Sequence, residues 1–489
     1  MSAYTVKQMI DIAIAMSAEK DTTALLDRIL TEAMTITRCD GGTVYVREKD
    51  GLHFHNMITK SKGFHRKRTG KDEIAPPVPM TRSHVCACAA MDHRKISIED
   101  VYLSEEYDFS GAAKYDSYND YRTKSMLVIP MEDEKGRNIG VLQLINAMDE
   151  EGRVTAFPED CEELITALAS LAAISMNNSR LAKSVNDILH SFVTVMVDAV
   201  DARSAYNANH TKSMVRYAER FLQWLDETGQ EFRVPEEEKD PFLMSVWLHD
   251  IGKLVIPLEI MDKATRLGAG EERIQNRIQI GCLMERIRGL SDPSVLTEAM
   301  ENESRLQEAA EVIKKSNTAG FLTDEMLGRL AAVRDMSCLR ADGSRTPVLT
   351  EEEYTAVTVR KGTLTAAERR EMERHVEYTG SLLGKMVFDG DYAPVPVWAA
   401  MHHELLDGSG YPEHRKAEEI PPEVRLITIL DVYDALTAED RPYKPPLPPE
   451  KAFSILESMR EEGKLDGEML RMFKESGAWK KPDAEEKAE

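Results

Sequence analysis

Five histidines lie in four short segments between residues 207 and 412, beside acidic or polar residues. The segments are NANHTKS with His210, WLHDIGKLVIP with His249, MERHVEYTG with His375, and MHHELLDGSGYP with His402 and His403. Imidazole nitrogen and carboxylate oxygen together suit iron, manganese or zinc. Two such ions about 3.5 to 4 Å apart activate water for a phosphoryl displacement. The doubled histidine therefore indicates a two-metal hydrolytic centre.

Each of these residues also has a purely structural interpretation. A lone His210 or His375 is more often an ordinary surface or core residue than a metal ligand. Asp250 and Asp431, however, both stand in strongly apolar stretches, VWLHDIGKLVI and LITILDVYDAL. Burying an unpaired polar group costs roughly 2 to 7 kcal/mol on transfer scales. A metal ion that compensates both carboxylates is the simplest explanation.

Three motifs together resemble the HD-GYP family of bacterial cyclic-di-GMP phosphodiesterases. They are HDIGK at 249–253, HHELLDGSGYP at 402–412 and DVYDALTAEDRPYK at 431–444. The resemblance covers about Val185 to Lys451, apart from an insertion. It implies hydrolysis of cyclic-di-GMP to linear pGpG, with further cleavage to GMP left open. The alternatives are hydrolysis of another cyclic dinucleotide, such as cyclic GMP-AMP, and a catalytically silent receptor that signals through protein contacts.

The resemblance also implies a set of metal ligands. One ion is expected on His210, His249, Asp250 and Asp431. Asp250 is expected to bridge to a second ion on His375, His402 and His403. Fe or Mn is the expected metal, with Zn, Ni and Co as further candidates. Some family members carry a glutamate that binds a third metal, but Tyr206 stands at that position. Two divalent ions are therefore expected.

Substrate contacts follow from the same resemblance. Asp250 and Lys253 are the expected catalytic residues, and Lys253, Tyr411, Arg441 and Lys444 are the expected substrate-binding residues. Lys253 is four residues after His249, a spacing that places both on one face of a helix. Arg441 and Lys444 lie in the proline-rich stretch RPYKPPLPP, which keeps the chain extended. The glycines of GSGYP permit positive φ and close backbone approach.

The piece that must position these residues, 198–452, is helical in pattern and is interpreted as an all-α HD-superfamily phosphohydrolase domain. A helical insertion is predicted at 264–362, where no histidine occurs. A lid, a partner-binding surface and an extended dimer surface are equally open interpretations of it. Residues 453–489 are interpreted as a C-terminal helix and an acidic, disordered tail.

The N-terminal piece, 1–160, alternates helical and strand patterns and is predicted to be an α+β sensor domain. GGTVYVREKDGLHFHNM and SMLVIPMEDEKGRNIGVLQLIN predict two hairpins. RTKSMLVIPM, GRNIGVLQLINA and AFPEDCEELI resemble the core of a GAF domain over about residues 20–178, of the type that binds cyclic nucleotides. Asn146 is followed by Ala147, so the usual lysine of the family signature is missing. A bound cyclic nucleotide and a ligand-free dimerisation module are both open.

The segment HVCAC carries His84, Cys86 and Cys88, with His93 nearby. A metal or redox sensor is one interpretation. The other is a strand in which both thiols point to one face and pack as small apolar groups. Packing is favoured, because no second cysteine pair completes a zinc site.

Between the two domains, 161–197 is predicted to be a connecting signalling helix. Leu164, Leu168, Leu171, Asn178, Val185, Leu189 and Phe192 keep near-heptad spacing, with Ser175 and Ala182 in the same seam. Such spacing favours a parallel homodimer, in which the polar Asn178 fixes the register. The alternative is a buried amphipathic helix of a monomer.

Composition limits the classes of partner. A formal charge of −23 argues against a protein that coats polymeric nucleic acid, because phosphate binding needs clustered cations. No apolar run is long enough for a membrane span, and the N-terminus lacks the pattern of a secretory signal. Six cysteines without a disulfide framework suit a reducing compartment. A cytoplasmic location is therefore expected.

Overall fold

The computed structural model describes residues 14, 21–68, 74–203, 209–438 and 446–480 of the 489-residue chain. The chain divides into two compact units, Met1–Leu189 and His190–Glu489. Among the described residues, no helix combines the length and the apolar character needed to cross a membrane.

The N-terminal unit is built on a six-stranded antiparallel sheet with the strand order β3-β2-β1-β6-β5-β4. Its strands are β1 Gly41–Arg47, β2 Leu52–Thr59, β3 Phe64–Lys67, β4 Ile96–Ile98, β5 Met126–Glu132 and β6 Asn138–Ile145. A separate pair is formed by β7 Ala147–Met148 and β8 Val154–Thr155. Pairing of Arg47 with Leu52 and of Glu132 with Asn138 closes the two hairpins that the sequence predicts.

Helices cover this sheet. They are α1 Thr22–Thr37, α2 Val85–Asp92, α3 Ser110–Asn119 and the first part of α4 Glu159–Arg203. The Asp21 carboxylate begins α1 by accepting hydrogen bonds from the Thr23 and Ala24 N–H groups. Leu26 and Leu30 of α1 and Leu168 of α4 join one apolar core with the sheet. The α+β architecture of the sequence prediction is confirmed.

The strand interpretation of HVCAC is wrong, because Val85–Asp92 is the helix α2. The run VCACAAM is rich in alanine, the strongest helix former, and this outweighs the local strand preference of valine and cysteine. Burial raises the pKa of the Cys86 thiol to about 12 and also raises that of Cys88. Both therefore remain protonated thiols that pack in the core, as the favoured interpretation expected.

Asn146 has a structural role that does not depend on a lysine beside it. It is buried and adopts a positive φ of 58°. Its side-chain amide donates to the Tyr121 hydroxyl and the Arg122 carbonyl, and its side-chain oxygen accepts from the Lys124 N–H. Asn146 thus holds the chain that enters β5.

Helix α4 extends further than the predicted 161–197 at both ends. Its first half packs into the N-terminal core as far as Met176. Leu168 belongs to this core and therefore does not contribute to the predicted contact between two copies of the helix. The exposed large apolar residues of α4 are Ile174, just before Met176, and Leu181, Val185, Ile188, Phe192 and Val195 after it. Near its end Val193, Val197 and Val200 are buried.

The C-terminal unit is predominantly helical. Its helices are α5 His210–Thr228, α6 Glu236–Leu248, α7 Leu258–Met261, α8 Gly270–Ser291, α9 Leu296–Thr318, α10 Asp324–Arg334, α11 Glu351–Val357, α12 Ala366–Glu373, α13 His375–Leu383, α14 Val395–Ala400, α15 Pro422–Thr437, α16 Pro449–Glu461 and α17 Gly467–Ser476. Phe221 of α5, Ile427 of α15 and Phe473 of α17 meet in its main core.

Residues 264–362 pack around an apolar core of their own, which includes Ile278 and Ile313. The buried Arg266 guanidinium, near the start of this segment, joins it to the other end by donating to the Val359 carbonyl, and it also donates to the Ser316 carbonyl in the middle. Besides the predicted helices the segment contains a small hairpin, β9 Ser337–Leu339 and β10 Arg345–Pro347. The strands are only three residues long, too short to show a period in the sequence.

Candidate metal centre

All seven predicted metal ligands come together in the C-terminal unit, and most of them lie at the ends of helices. His210 and His375 begin α5 and α13, whereas His249 directly follows α6. His402 and His403 lie in the turns after α14, and Asp431 is a buried residue of α15. Helix ends bring ligands from four segments to one point without interrupting a helix.

The carboxylate of Asp250 lies at the centre of this group. Its Oδ2 is 3.5 Å from His210 Nε2 and 3.2 Å from His249 Nε2. Its Oδ1 is 3.4 Å from His375 Nε2 and 3.8 Å from His402 Nε2. Among the described residues, this buried Oδ1 has no hydrogen-bond donor. One carboxylate therefore faces two separate histidine pairs, which is the arrangement of a bridging ligand.

Two sets of donor atoms lie on either side of Asp250. Ligand atoms of His210, His249 and Asp431 all lie within 4.8 Å of one another, and the same holds for His375, His402 and His403. Nitrogen-rich sets with a carboxylate suit Fe, Mn, Zn and other transition metals. These groups, together with the unsatisfied Asp250 oxygen, fit bound metal ions.

Three of the rings are oriented by the backbone of their own segment. The Nδ1–H groups of His249, His375 and His402 donate to the carbonyls of Val246, Met372 and Ala399, each three residues earlier and each at 2.7 Å. A bond at Nδ1 fixes the tautomer and leaves Nε2 free to bind a metal. All three Nε2 atoms point toward Asp250.

His210 is oriented by a side chain and not by a backbone carbonyl. Its Nδ1 is 2.7 Å from Asp434 Oδ2, a buried carboxylate on α15. Asp431 is a ligand predicted from the sequence, whereas Asp434 is not among the predicted residues. The signal was present in DVYDALT, because residues three apart share one face of a helix.

Lys253 contacts the centre, but not for the reason that the sequence indicated. Helix α6 ends at Leu248, and Lys253 lies on a separate 3-10 turn, Ile251–Leu254. The helical spacing from His249 therefore does not apply. The Lys253 ammonium lies 2.5 Å from Asp250 Oδ2 instead.

A tight backbone contact fixes this turn against α13. The Gly252 N–H donates to the Thr379 hydroxyl, which itself donates to the His249 carbonyl. A Cβ on Gly252 would lie 1.9 Å from the His375 carbonyl oxygen. Thr379 and Gly252 are thus structural partners of the centre that the sequence analysis did not single out.

The GSGYP turn packs its aromatic ring onto the doubled histidine. Gly408 has a φ of +80°, and a Cβ on Gly410 would lie 2.3 Å from the Leu405 nitrogen, so both glycines have the expected roles. The Tyr411 ring lies 4.8 Å from the His403 ring at an angle of 34°. The peptide bond between Tyr411 and Pro412 is cis.

Glu404, a further residue that the sequence analysis did not assign, holds this turn in place. Its buried carboxylate accepts hydrogen bonds from the N–H groups of Glu413 and Arg415, at 2.7 and 2.9 Å. The acid that follows the two histidines is therefore a support for the loop.

Electrostatics differ between the two sides of the centre. Burial lowers the pKa of His375 to about 4 and lowers that of His402 well below its usual value. Burial also disfavours charge on His210, but hydrogen bonds to Asp431 and Asp434 outweigh it and raise the pKa to about 10. The pKa of Asp250 is well below its usual value, because Lys253 and His249 outweigh the effect of burial. His375 and His402 are therefore neutral imidazoles beside the ionised Asp250, the state that metal binding requires, whereas His210 has to lose a proton when a metal binds.

Three residues of the sequence prediction lie outside the described residues. They are Tyr206, Arg441 and Lys444. The expected absence of a third metal and the expected phosphate contacts therefore stay predictions.

Two family models match the chain. A GAF domain model matches residues 21–176, and an HD domain model matches residues 352–469. The HD match includes His375, His402, His403 and Asp431. It begins at residue 352, near the end of the segment 264–362, and so does not include His210, His249 or Asp250.

Curated relatives match over short stretches. The 3'3'-cGAMP-specific phosphodiesterase 3 of Vibrio cholerae is 39% identical over 102 residues, which is 21% of each chain. The cyclic di-GMP phosphodiesterase of Thermotoga maritima is 34% identical over 113 residues, 22% of this chain and 28% of the relative. The chain thus spans about a quarter of the length of the relatives it matches.

Solved GAF structures also align with the chain. The GAF domain of a phosphoenolpyruvate-protein phosphotransferase from Coxiella burnetii covers 37% of this chain and 96% of its own, with 14% identity and a TM-score of 0.29. A likeness of that size supports no functional conclusion. By the two family models, the chain combines an N-terminal GAF domain with a C-terminal HD domain.

Proposed function

We propose that the chain is a metal-dependent phosphodiesterase that hydrolyses cyclic-di-GMP to linear pGpG. The observation that carries this proposal is the Asp250 carboxylate, whose two oxygens face two separate histidine pairs. Relatives named cyclic di-GMP phosphodiesterase support the substrate class. Further cleavage to GMP would use the same site on the linear product.

Two divalent ions are part of this proposal. The first would be held by His210, His249, Asp250 and Asp431, and the second by Asp250, His375, His402 and His403. Fe or Mn is favoured, because the donors are imidazole and carboxylate without thiolate, and Zn, Ni and Co are further candidates. Bound there, the ions supply Lewis acidity and lower the pKa of water.

Substrate recognition falls to side chains beside the ligands. The Lys253 ammonium, held next to Asp250, is placed to stabilise a non-bridging phosphate oxygen as charge builds on it. The Tyr411 ring offers an aromatic face against which a base can stack. Arg441 and Lys444 complete the proposal as contacts to the phosphates from the other side.

A second candidate substrate is a mixed cyclic GMP-AMP ring, which is favoured by the match to the Vibrio cholerae protein named for that nucleotide. Of a different class is a silent receptor that only binds the nucleotide. The seven assembled ligands argue against it, because buried charged groups are costly to keep without a metal.

A panel of cyclic dinucleotides distinguishes the cyclic-di-GMP phosphodiesterase, the cyclic GMP-AMP phosphodiesterase and the silent receptor. Full-length protein loaded anaerobically with Fe or Mn is incubated with cyclic-di-GMP, cyclic GMP-AMP and cyclic-di-AMP, and the products are resolved by chromatography. The proposal expects pGpG from cyclic-di-GMP at the highest kcat/KM. Preference for cyclic GMP-AMP would support the second substrate. Binding without any product would support the receptor.

We also propose a cyclic nucleotide ligand for the GAF domain. A cavity of about 580 Å³ lies among β1, β2, β6 and α2, a size common for small-molecule sites. Phe54 and Phe109 give it aromatic walls, and Arg66, Thr123 and Gln143 give it polar ones. Isothermal titration with cyclic GMP and cyclic AMP tests this. Absence of heat at millimolar nucleotide would favour the ligand-free module.

A parallel homodimer through α4 completes the proposed organisation. Ile174, Leu181, Val185, Ile188, Phe192 and Val195 are exposed and recur at intervals of seven, four, three, four and three residues. Asn178 is exposed and fills the remaining position of this seam. Apolar residues at such spacing are typical of a two-stranded coiled coil.

A further inference from the structure

The last residue of helix α4 contacts the turn that carries Lys253. The Arg203 guanidinium donates through Nη1 to the carbonyl of Lys253 at 3.3 Å and also to the carbonyl of Leu254. Arg203 is half-buried, and Val197 and Val200, on the preceding turns of the helix, are buried. The end of α4 is thus a packed part of the C-terminal unit that bonds to the backbone beside the metal centre.

The two sides of the 3-10 turn are held differently. On one side, Gly252 is locked against α13 through Thr379 and has no room for a side chain. On the other side, the carbonyls of Lys253 and Leu254 point to Arg203. Lys253 lies between these two attachments, so its backbone position depends on both.

Arginine is suited to this task. Its guanidinium is planar and always charged, and one nitrogen can serve two neighbouring carbonyls. Hydrogen bonds from a charged donor are stronger than those between neutral groups. A lysine at the same position has a shorter reach and a single donor point, so it should restore only part of the attachment.

We propose that Arg203 is a positioning residue for Lys253, which attaches the catalytic turn to the end of the helix that begins in the GAF domain. Its effect on rate rests on the proposed phosphodiesterase function. The attachment itself does not, because it is a property of the backbone. Arg203 touches no predicted metal ligand by these hydrogen bonds, so metal content should not depend on it.

The test compares Arg203→Met and Arg203→Lys in the full-length protein, with Arg180→Ala as the control. Arg180 is an exposed residue of the same helix. In Arg203→Met, the amides of residues 253–256 should exchange hydrogen about tenfold faster, because local opening becomes easier. The Lys variant should lie between the Met variant and the wild type, and the control should match the wild type.

Kinetic readouts distinguish positioning from a general loss of structure. In metal-loaded Arg203→Met, kcat should fall on the order of 10- to 100-fold, because a small misplacement of a catalytic group is costly. Metal content and melting temperature should stay near the wild-type values. Unchanged exchange at 253–256 would overturn the proposal even if no substrate is found. Faster exchange without hydrolysis in any variant would instead count against the phosphodiesterase.

Discussion

At the residue scale, Asp250 and Lys253 touch each other yet should have separable tasks. We expect Asp250→Ala to lose both metals and all turnover, because each of its oxygens faces one donor set. Lys253→Ala should keep the metals and lose rate by about 10²- to 10³-fold, the usual cost of one charge-stabilising donor. Elemental analysis after anaerobic loading, paired with single-turnover kinetics, checks both. Equal metal loss in the two variants would contradict this division.

A variant of Asp434 tests whether this residue orients the ligand His210 without binding a metal itself. In Asp434→Asn, the ring of His210 loses the carboxylate that fixes its Nδ1, so metal affinity should fall about 10- to 100-fold. The matched control is Asp226→Asn, an exposed acid on the same helix as His210. Competition with a metal chelator measures the affinity. An unchanged affinity in Asp434→Asn would mean that His210 is oriented by other contacts.

The ligand types were predictable from sequence because imidazole and carboxylate have few other reasons to recur in apolar stretches. What the sequence could not show is the support around them. Asp434, Thr379 and Arg203 act on their partners from 224, 130 and 50 residues away. These hydrogen bonds are made by the tertiary fold. The spacing along the chain indicates only that Asp434 shares a helix face with Asp431, and it does not reveal His210 as the partner.

At the scale of elements, the short turn after α6 is the part of the centre that has least room for an added side chain. A Cβ at Gly252 would meet backbone atoms of His375 and Thr379, which cannot move aside as a flexible side chain can. We expect Gly252→Ala to destabilise the C-terminal unit by about 3 kcal/mol, the upper end of ordinary overpacking costs. Urea unfolding measures the change.

The control for this variant is Gly328→Ala, within helix α10, where a Cβ would meet nothing within 4 Å. Alanine is the better helix former, so this change should stabilise the protein by about 0.5 to 1 kcal/mol. A similar loss of stability in both variants would show that the close approach at Gly252 is not the cause.

Helices and strands were predictable from the sequence where the periodic pattern of apolar residues was long. The two hairpins and the helix after Pro158 show clear periods, and the structure has them. HVCAC at 84–88 was interpreted as a strand, although it lies at the start of the helix Val85–Asp92, because a five-residue motif carries too little periodicity to choose between helix and strand. The end of α6 was also missed, since the tight approach of Gly252 to α13 is a tertiary constraint.

At the scale of the whole molecule, the proposed dimer is tested at Asn178, the polar residue among the exposed apolar residues of α4. Asn178→Leu should strengthen association about tenfold, equivalent to about 1.4 kcal/mol, because an apolar side chain replaces an amide at a paired position. Lys183→Leu, which lies outside the seam, should leave association unchanged. Light scattering over a dilution series measures both. A wild-type chain that is monomeric at micromolar concentration would refute the dimer.

The same variant tests communication between the domains. A ligand of the GAF domain can change turnover only if it binds two arrangements of the chain with different affinity. Asn178→Leu should favour one register and so weaken any change in rate that a cyclic nucleotide produces. If turnover of the full chain is the same with and without nucleotide, α4 is only a tether.

The hydrogen bonds from His249, His375 and His402 to backbone carbonyls have a consequence for the exchange of metal ions. Because each ring is held by its own backbone segment, its rotational freedom is lost during folding and not when an ion arrives. The metal-free chain should therefore keep its shape, unlike small zinc domains that unfold without their ion. An ion can then leave and be replaced without refolding. Which metal is resident should follow the supply around the protein, so that a change in that supply becomes a change in activity.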